Sequence, residues 1–196
     1  EKSTGNPRRL AKNQTLRNLR HALETHHKRQ EDGLGTINKC WPYLAHADRS
    51  IRYAARLAIE NQDLALWQEK VFSESNNRAV IYSAIALCRH GEKNLAGKLL
   101  DKLNEVPFQI LNPEDRLALL RAYSLCFIRL EEPTQKMIQT VIAKLAPTYP
   151  AKDETLNMEL CRILSYLDAP SVVTKTIALM KVTQAKTVAF DKEMLD

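Results

Sequence analysis

The sequence has few of the features that mark most enzymes and membrane proteins. Its 196 residues include only five glycines and few clusters of β-branched residues, which argues against an all-β fold. It contains no GxSxG motif, no phosphate-cradling glycine loop, and no Cys-x-x-Cys pair or zinc-finger Cys/His spacing. No apolar run approaches the roughly 18 residues that span a bilayer. We therefore predict no catalytic, cofactor-binding or metal-binding residues and a protein that is not an enzyme.

The four cysteines are far apart in the sequence, and each lies within an apolar stretch of helical character. We predict that they are small buried apolar residues, compatible with either redox compartment. They are Cys40, Cys88, Cys126 and Cys161.

The positive charge is concentrated at one end of the chain. The net charge is +6, and residues 1–30 contain eight Lys or Arg against two acidic residues. The remaining residues hold 21 basic and 21 acidic groups and are therefore neutral. A protein that follows a nucleic-acid backbone needs basic residues along its whole length, so this distribution favours a solvated basic end.

The two ends of the domain are predicted from local composition. Residues 1–12 are polar, contain Gly5 and Pro7, and are predicted to form a basic linker or strap. Residues 13–196 are predicted to form one helical repeat domain. Because the chain begins with Glu1 rather than Met, we expect it to be excised from a longer protein, with no targeting segment to define its compartment.

A pattern of one small and one larger apolar residue recurs in four segments. The small residues are Ala55, Ala84, Ala122 and Cys161, separated by 29, 38 and 39 residues. Three residues after each of them come Ala58, Leu87, Leu125 and Leu164. A period of this size in a helical chain predicts an all-α, HEAT-like superhelix, or solenoid, of about four to five antiparallel helix pairs.

Apolar periodicity, caps and prolines predict the individual helices. Thr36, Asp48, Asp63 and Asp153 are the predicted N-caps, Pro113 fits a first helical turn, and Pro42 is expected to bend its helix. Pro133 and Pro170 are predicted to open the helices that follow them. The predicted helices are 13–29, 37–45, 49–60, 64–74, 76–90, 92–105, 113–130, 133–146, 154–167, 170–184 and 186–195.

The run from Trp41 to Glu60 resembles a HEAT-like segment of large bacterial multidomain proteins. Its central part reads Asp48-Arg49-Ser50-Ile51-Arg52-Tyr53-Ala54-Ala55-Arg56. Similar stretches bring the resemblance to about residues 14 to 182; they are 16–24, 119–129, 156–162 and 175–180. In those proteins a sugar-dehydrogenase-like propeller precedes the helical segment and a c-type cytochrome domain follows it. The resemblance implies a periplasmic or otherwise exported, redox-active parent, although this chain has no Cys-x-x-Cys-His motif.

Two groups of polar residues have both a structural and a functional interpretation. Asp48, Arg52 and Arg56 are spaced four residues apart, so Asp48 is expected to cap the helix and Arg52 to reach it, within ladders between repeats. The alternative is that Arg52 or Arg56 binds an anionic partner. His26 and His27, after Glu24, project about 100° apart on a helix, which favours exposed polar residues over a metal site.

Aromatic residues are concentrated in the first half of the domain, where they predict core or inter-repeat packing. The alternative is base stacking beside arginines, as in HEAT-like DNA glycosylases, with Asp48 or Asp63 as the required carboxylate. The aromatic residues are Trp41, Tyr43, Tyr53, Trp67 and Tyr82.

The sequence favours a non-catalytic scaffold, a module for protein–protein or interdomain interaction within a larger redox-active protein. Nucleic-acid binding, with or without glycosylase activity, is the alternative. The residues predicted to contact a partner are Arg49, Arg52, Arg56, Arg78 and Arg121.

Overall fold

The computed structural model describes residues 7–130 and 132–181, and all regular secondary structure within these ranges is helical. This confirms the predicted all-α class. No helix in this part of the chain combines the length and apolar character that a membrane span requires. The helices are α1 (Pro7–Glu24), α2 (Gly33–Cys40), α3 (Arg49–Glu60), α4 (Gln68–Ser73), α5 (Asn77–His90), α6 (Ala96–Glu105), α7 (Pro113–Arg129), α8 (Gln135–Leu145), α9 (Glu154–Tyr166) and α10 (172–181).

The odd-numbered helices contact one another in chain order, from α1 to α3, α5, α7 and α9. On the other side, α4 contacts α6 and α6 contacts α8. Contacts of α2 with α3, α4 with α5, α6 with both α5 and α7, and α8 with α9 join the two sets. Each helix therefore buries its apolar face mainly against helices close to it in the sequence.

The helix starts predicted at residues 49, 113 and 154 are confirmed, because capping depends on nearby residues. The Asp48 carboxylate accepts hydrogen bonds from the backbone N–H groups of Ser50 and Ile51, and the Asp153 carboxylate accepts one from Leu156. Each such cap stabilises a helix by about 1 kcal/mol. Pro113 is the first residue of α7, where its missing N–H has no intrahelical partner to lose.

The first two helices differ from the prediction. Helix α1 begins at Pro7 rather than at residue 13, since a proline fits a first helical turn and does not have to mark a linker. It ends at Glu24 rather than at residue 29. Helix α2 begins at Gly33, because Asp32 rather than Thr36 caps it by accepting the N–H of Gly35. Residues 1–6 of the predicted linker lie outside the described residues.

Prolines and short 3-10 turns account for the other differences. Pro42 does not bend an α-helix: α2 ends at Cys40, and a 3-10 helix, Trp41–Ala45, holds Pro42 in its first turn. Pro133 and Pro170 precede their helices, which begin at Gln135, after the Thr134 cap, and at residue 172. The helices predicted from 64 and 92 start with 3-10 turns. The helix predicted over 186–195, and residues 182–184 of the one before it, lie outside the described residues.

One continuous apolar core runs between the helices. Ala55, Ala84 and Ala122 have no exposed surface, whereas Cys161 is half-buried. The burial prediction is thus confirmed for Cys40, Cys88 and Cys126 and is wrong for Cys161, whose Sγ lies 3.5 Å from the Thr176 hydroxyl of α10 in a partly exposed position. A partly buried lysine of α8 also binds the end of α6: Lys144 Nζ donates to the carbonyl oxygens of Leu103, Asn104 and Val106. Burial lowers the pKa of Lys144 to about 8.

Candidate binding groove

A groove of about 480 Å³ crosses four successive odd-numbered helices, α3, α5, α7 and α9. It combines three arginines and two tyrosines with two glutamates and a small apolar floor. Its walls consist of Arg49, Tyr53, Arg56, Tyr82, Ile85, Glu114, Leu117, Ala118, Arg121, Ser124, Thr155 and Glu159.

Helical spacing explains why these side chains share one surface. Arg49, Tyr53 and Arg56 lie at positions i, i+4 and i+7 of α3, so they project from one face over two turns. Glu114, Leu117 and Arg121 lie at positions i, i+3 and i+7 of α7, a spacing that also places them on one face. Because α3 and α7 lie on either side of α5, their two rows face the groove from opposite sides.

Arg56 forms the deep end of the groove. Its side chain is largely buried, and Nη1 lies 3.4 Å from the carboxylate of Glu60, which is itself buried. The other oxygen of Glu60 is 3.5 Å from Arg89 and 3.6 Å from His90. Burial lowers the pKa of Arg56; Glu60 opposes this, while the positive charges of Arg89 and Arg121 add to it. One carboxylate therefore serves several cationic groups.

Arg49 and Arg121 have no such partner. Both are exposed, and neither forms an ion pair or a hydrogen bond with any other residue in the described ranges. They lie on different helices, α3 and α7, across the groove from each other. Their positive charges are therefore available to an anion that enters the groove.

The two glutamates of the groove do not compensate these charges, because each has its own arginine. Glu114 is paired with Arg52, and Glu159 Oε1 lies 2.6 Å from Nη1 of Arg162. Neither Arg52 nor Arg162 lines the groove. The local balance of the groove is therefore positive, although the chain beyond residue 30 is neutral.

Arg52 is completely buried and joins α3 to the start of α7. Its Nη1 donates to the carbonyl oxygens of His46 and Ala47 at 2.8 Å, and its Nη2 donates to Glu114. Its guanidinium also lies 4.8 Å from the centre of the Tyr82 ring. The expected contact with Asp48 is wrong, because the Asp48 carboxylate is occupied by the backbone of its own helix.

Arg78 makes the corresponding connection from α5. Its Nε is 2.9 Å from both carboxylate oxygens of Asp115, and its Nη2 is 2.8 Å from one of them. This hydrogen bonding raises the pKa of Arg78. We call Arg52 and Arg78 the tied arginines, and Arg49, Arg56 and Arg121 the groove arginines. The structure thus divides the five predicted partner-binding residues into two groups.

The aromatic residues divide in a similar way. Trp41 and Trp67 are buried in the core, as predicted, and Tyr43 is half-buried. Tyr53 is 54% exposed in the groove, contrary to the expected packing role, and the Arg56 guanidinium lies 5.4 Å from its ring centre. The sequence feature that indicates an exposed Tyr53 is its position between Arg49 and Arg56 on one helical face.

The remaining candidate residues lie away from the groove. His26 Nε2 is 3.2 Å from Lys39 Nζ, and His27 Nε2 is 2.9 Å from the Ala54 carbonyl oxygen. Across residues 7–130 and 132–181 no three His, Cys, Asp or Glu side chains are grouped as a metal site. Asp48 caps α3, and Asp63 caps the next turn and pairs with Arg29. Neither aspartate lines the groove.

Comparisons of the chain with protein families, curated proteins and solved structures gave no match. The resemblance of the run from Trp41 to Glu60 therefore rests on its residues alone.

Proposed function

We propose that this chain is a non-catalytic interaction module, a HEAT-like superhelix that binds a protein segment in its groove. The observation that carries the proposal is the placement of Arg49 and Arg121 on opposite walls, exposed and without partners among the described residues, beside the exposed ring of Tyr53. Charged groups kept exposed and unpaired in a groove do little for stability, whereas arginine and tyrosine are common anchors of binding surfaces.

Helix order supports the superhelix. Successive odd-numbered helices contact one another, as do α4, α6 and α8, and the connections between them are short. Stacked pairs of about four to five units would hold α3, α5, α7 and α9 in fixed register. Such preorganisation lowers the entropy lost when a partner binds.

The proposed partner is a separate protein or another domain of the same polypeptide. If the resemblance to exported multidomain proteins holds, the module connects redox-active domains and takes no part in their chemistry. The groove residues support a role in binding rather than in chemistry, because no nucleophile among them is hydrogen-bonded to a base.

Nucleic-acid binding is the second candidate, because arginines beside an exposed tyrosine also suit a single strand. The charge distribution favours a protein partner. The basic excess lies within residues 1–30, and none of the groove residues comes from that segment. Two of its arginines, Arg20 and Arg29, are paired with Glu24 and Asp63.

Selection from a random linear-peptide display library tests the proposed function. The groove is blocked with Ala118→Trp, and the matched control is Ile128→Trp, at an exposed position of the same helix outside the groove. We expect peptides that bind the parent chain and the control but not the blocked variant. Thermal unfolding of all three proteins verifies that the variants are folded. Absence of any such peptide would contradict the proposal.

A parallel measurement addresses the second candidate. Fluorescence polarisation with short single- and double-stranded DNA, at low and moderate salt, compares the full chain with the Arg49→Ala/Arg121→Ala variant. The protein-binding proposal expects weak, salt-sensitive binding that the double substitution leaves unchanged, because the basic N-terminal segment would account for it. Loss of DNA binding in the variant would make the groove a nucleic-acid site.

A further inference from the structure

We infer that the groove binds an extended acidic peptide segment, with carboxylates that pair with Arg49 and Arg121 and an apolar side chain on Tyr53. The inference rests on the proposed function and adds the chemistry of the partner. It follows from three features of the groove: its unpaired charges, its flanking glutamates and its exposed aromatic and apolar surface.

The charges of the groove call for an anion. Arg121 and Arg56 are close enough for their positive charges to repel, and Glu60 is shared among Arg56, Arg89 and His90. A carboxylate beside Arg121 would relieve this repulsion, and carboxylates at Arg49 and Arg121 would form charge-assisted hydrogen bonds with the planar guanidinium groups. The guanidinium groups would also attract a phosphate, so the neighbouring side chains decide whether the groove favours a carboxylate or a phosphate.

The glutamates favour a peptide over a phosphodiester strand. Glu114 and Glu159 line the groove, so an occupant that crosses all four helices has to pass both carboxylates. A nucleic acid carries a charge on every phosphate and would find no unpaired cation there, since both carboxylates are already paired with arginines. An acidic peptide can alternate its carboxylates with neutral residues, which places neutral groups opposite the glutamates.

The uncharged surface of the groove fits the side chains of such a segment. Leu117 and Ala118 are partly exposed, and Ile85 lies deeper between them and α3. The Tyr53 ring stands at the rim, with more than half of its surface exposed. An aromatic or aliphatic residue of the partner would cover this surface, while the two arginines fix the position of the chain on either side of it.

The peptides from the selection test this inference directly. We expect the sequences that depend on the groove to be enriched in Asp and Glu relative to the starting library. Synthetic versions with Asn and Gln in their place should bind about tenfold more weakly or worse, because each lost charge-assisted pair removes that much affinity. Affinities are measured by fluorescence polarisation with the full chain.

Substitutions in the protein supply the second half of the test. Arg49→Ala and Arg121→Ala should each weaken binding about tenfold. The matched control, Arg129→Ala, removes an exposed arginine from the same helix outside the groove and should leave affinity unchanged. Arg121→Glu should abolish binding, and a peptide with Lys in place of the pairing acidic residue should restore it. A purely structural effect of the substitutions would not produce this rescue.

Two other results would overturn the acidic-peptide inference, and a third would reject the proposed function. Enriched peptides that are neutral or basic, yet blocked by Ala118→Trp, would overturn the acidic segment and leave the interaction module in place. Acidic peptides that bind all variants equally would show that the two arginines do not recognise them, which also overturns the inference. Absence of groove-dependent peptides would reject the proposed function itself.

Discussion

Arg52, one of the tied arginines, and Arg49, one of the groove arginines, lie on the same helix but in opposite environments. Arg52 and Arg49 are one turn apart on α3, yet the first is fully buried with three acceptors, and the second is exposed with no acceptor in residues 7–130 and 132–181. A buried guanidinium without acceptors costs several kcal/mol, so burial and pairing occur together. An exposed guanidinium has no such requirement and remains available for binding. The difference shows that side-chain type alone does not assign a role to an arginine here.

Removal of Arg52 should give the largest effect. Arg52→Ala leaves the carbonyl oxygens of His46 and Ala47 without donors and opens a cavity, for a loss of about 3 kcal/mol in unfolding free energy. Thermal unfolding should show a fall of roughly 6–12 °C in Tm. Glu114→Gln is the control: Glu114 is about half exposed, so it should cost less. Equal losses for both variants would contradict the importance of the carbonyl contacts.

Removal of Arg78 should have a smaller but clear effect. Arg78→Ala leaves the buried Asp115 carboxylate with the side-chain amide of Asn112 as its one donor among the described residues, and we expect a loss of about 2 kcal/mol. Urea unfolding measures the change. Arg78→Lys keeps the charge but not the two-oxygen contact and should recover part of the loss. Full recovery by lysine would show that charge alone is sufficient.

The carboxylate of Glu74 extends the comparison to the effect of acidic pH, because it too is held by hydrogen bonds. Burial alone raises the pKa of Glu74, but hydrogen bonds from the backbone of Asn76, the indole of Trp41 and the backbone of Ser75 outweigh it and lower the pKa below 4.5. The folded state therefore binds the proton less tightly than the unfolded state. The resulting stabilisation is complete above pH 4.5 and is lost as the pH falls through the folded-state pKa.

The variant Glu74→Gln should be less stable than the parent chain at neutral pH, by less than Arg78→Ala. The difference should shrink as the solution is acidified, and chemical denaturation across the acidic range measures this. Glu69→Gln is the control, because Glu69 is exposed and paired only with Lys98. A difference for Glu74→Gln that is independent of pH would contradict the assignment.

Removal of Arg121, an exposed groove arginine, should change the unfolding free energy least. Arg121→Ala should alter the unfolding free energy by no more than about 0.5 kcal/mol, the usual range for exposed positions. Its sign should be a slight gain, because the variant relieves repulsion with Arg56, and the gain should decline as salt screens the charges. A loss comparable to that of Arg78→Ala would mean that Arg121 is a structural residue.

Local interactions were predictable from the sequence, and distant ones were not. The caps at Asp48 and Asp153 and the start of α7 at Pro113 depend on residues within one turn, and all three are confirmed. The acceptors of the tied arginines could not be predicted, because Arg52 and Glu114 are 62 residues apart. The sequence therefore identified five candidate arginines but could not divide them. The groove is formed by four helices together, so the sequence of no single helix predicts it.

The tied arginines also affect how the chain opens. Their carboxylate partners, Glu114 and Asp115, are consecutive residues in the first turn of α7. Unwinding of that turn removes the attachments of α3 and α5 together, so the backbone amides of the three helices should exchange with solvent as one cooperative unit. Helix α10, with Val173, Ile177 and Met180 exposed, should exchange faster and independently. The floor and walls of the groove then share a single opening free energy, apart from its edge on α9.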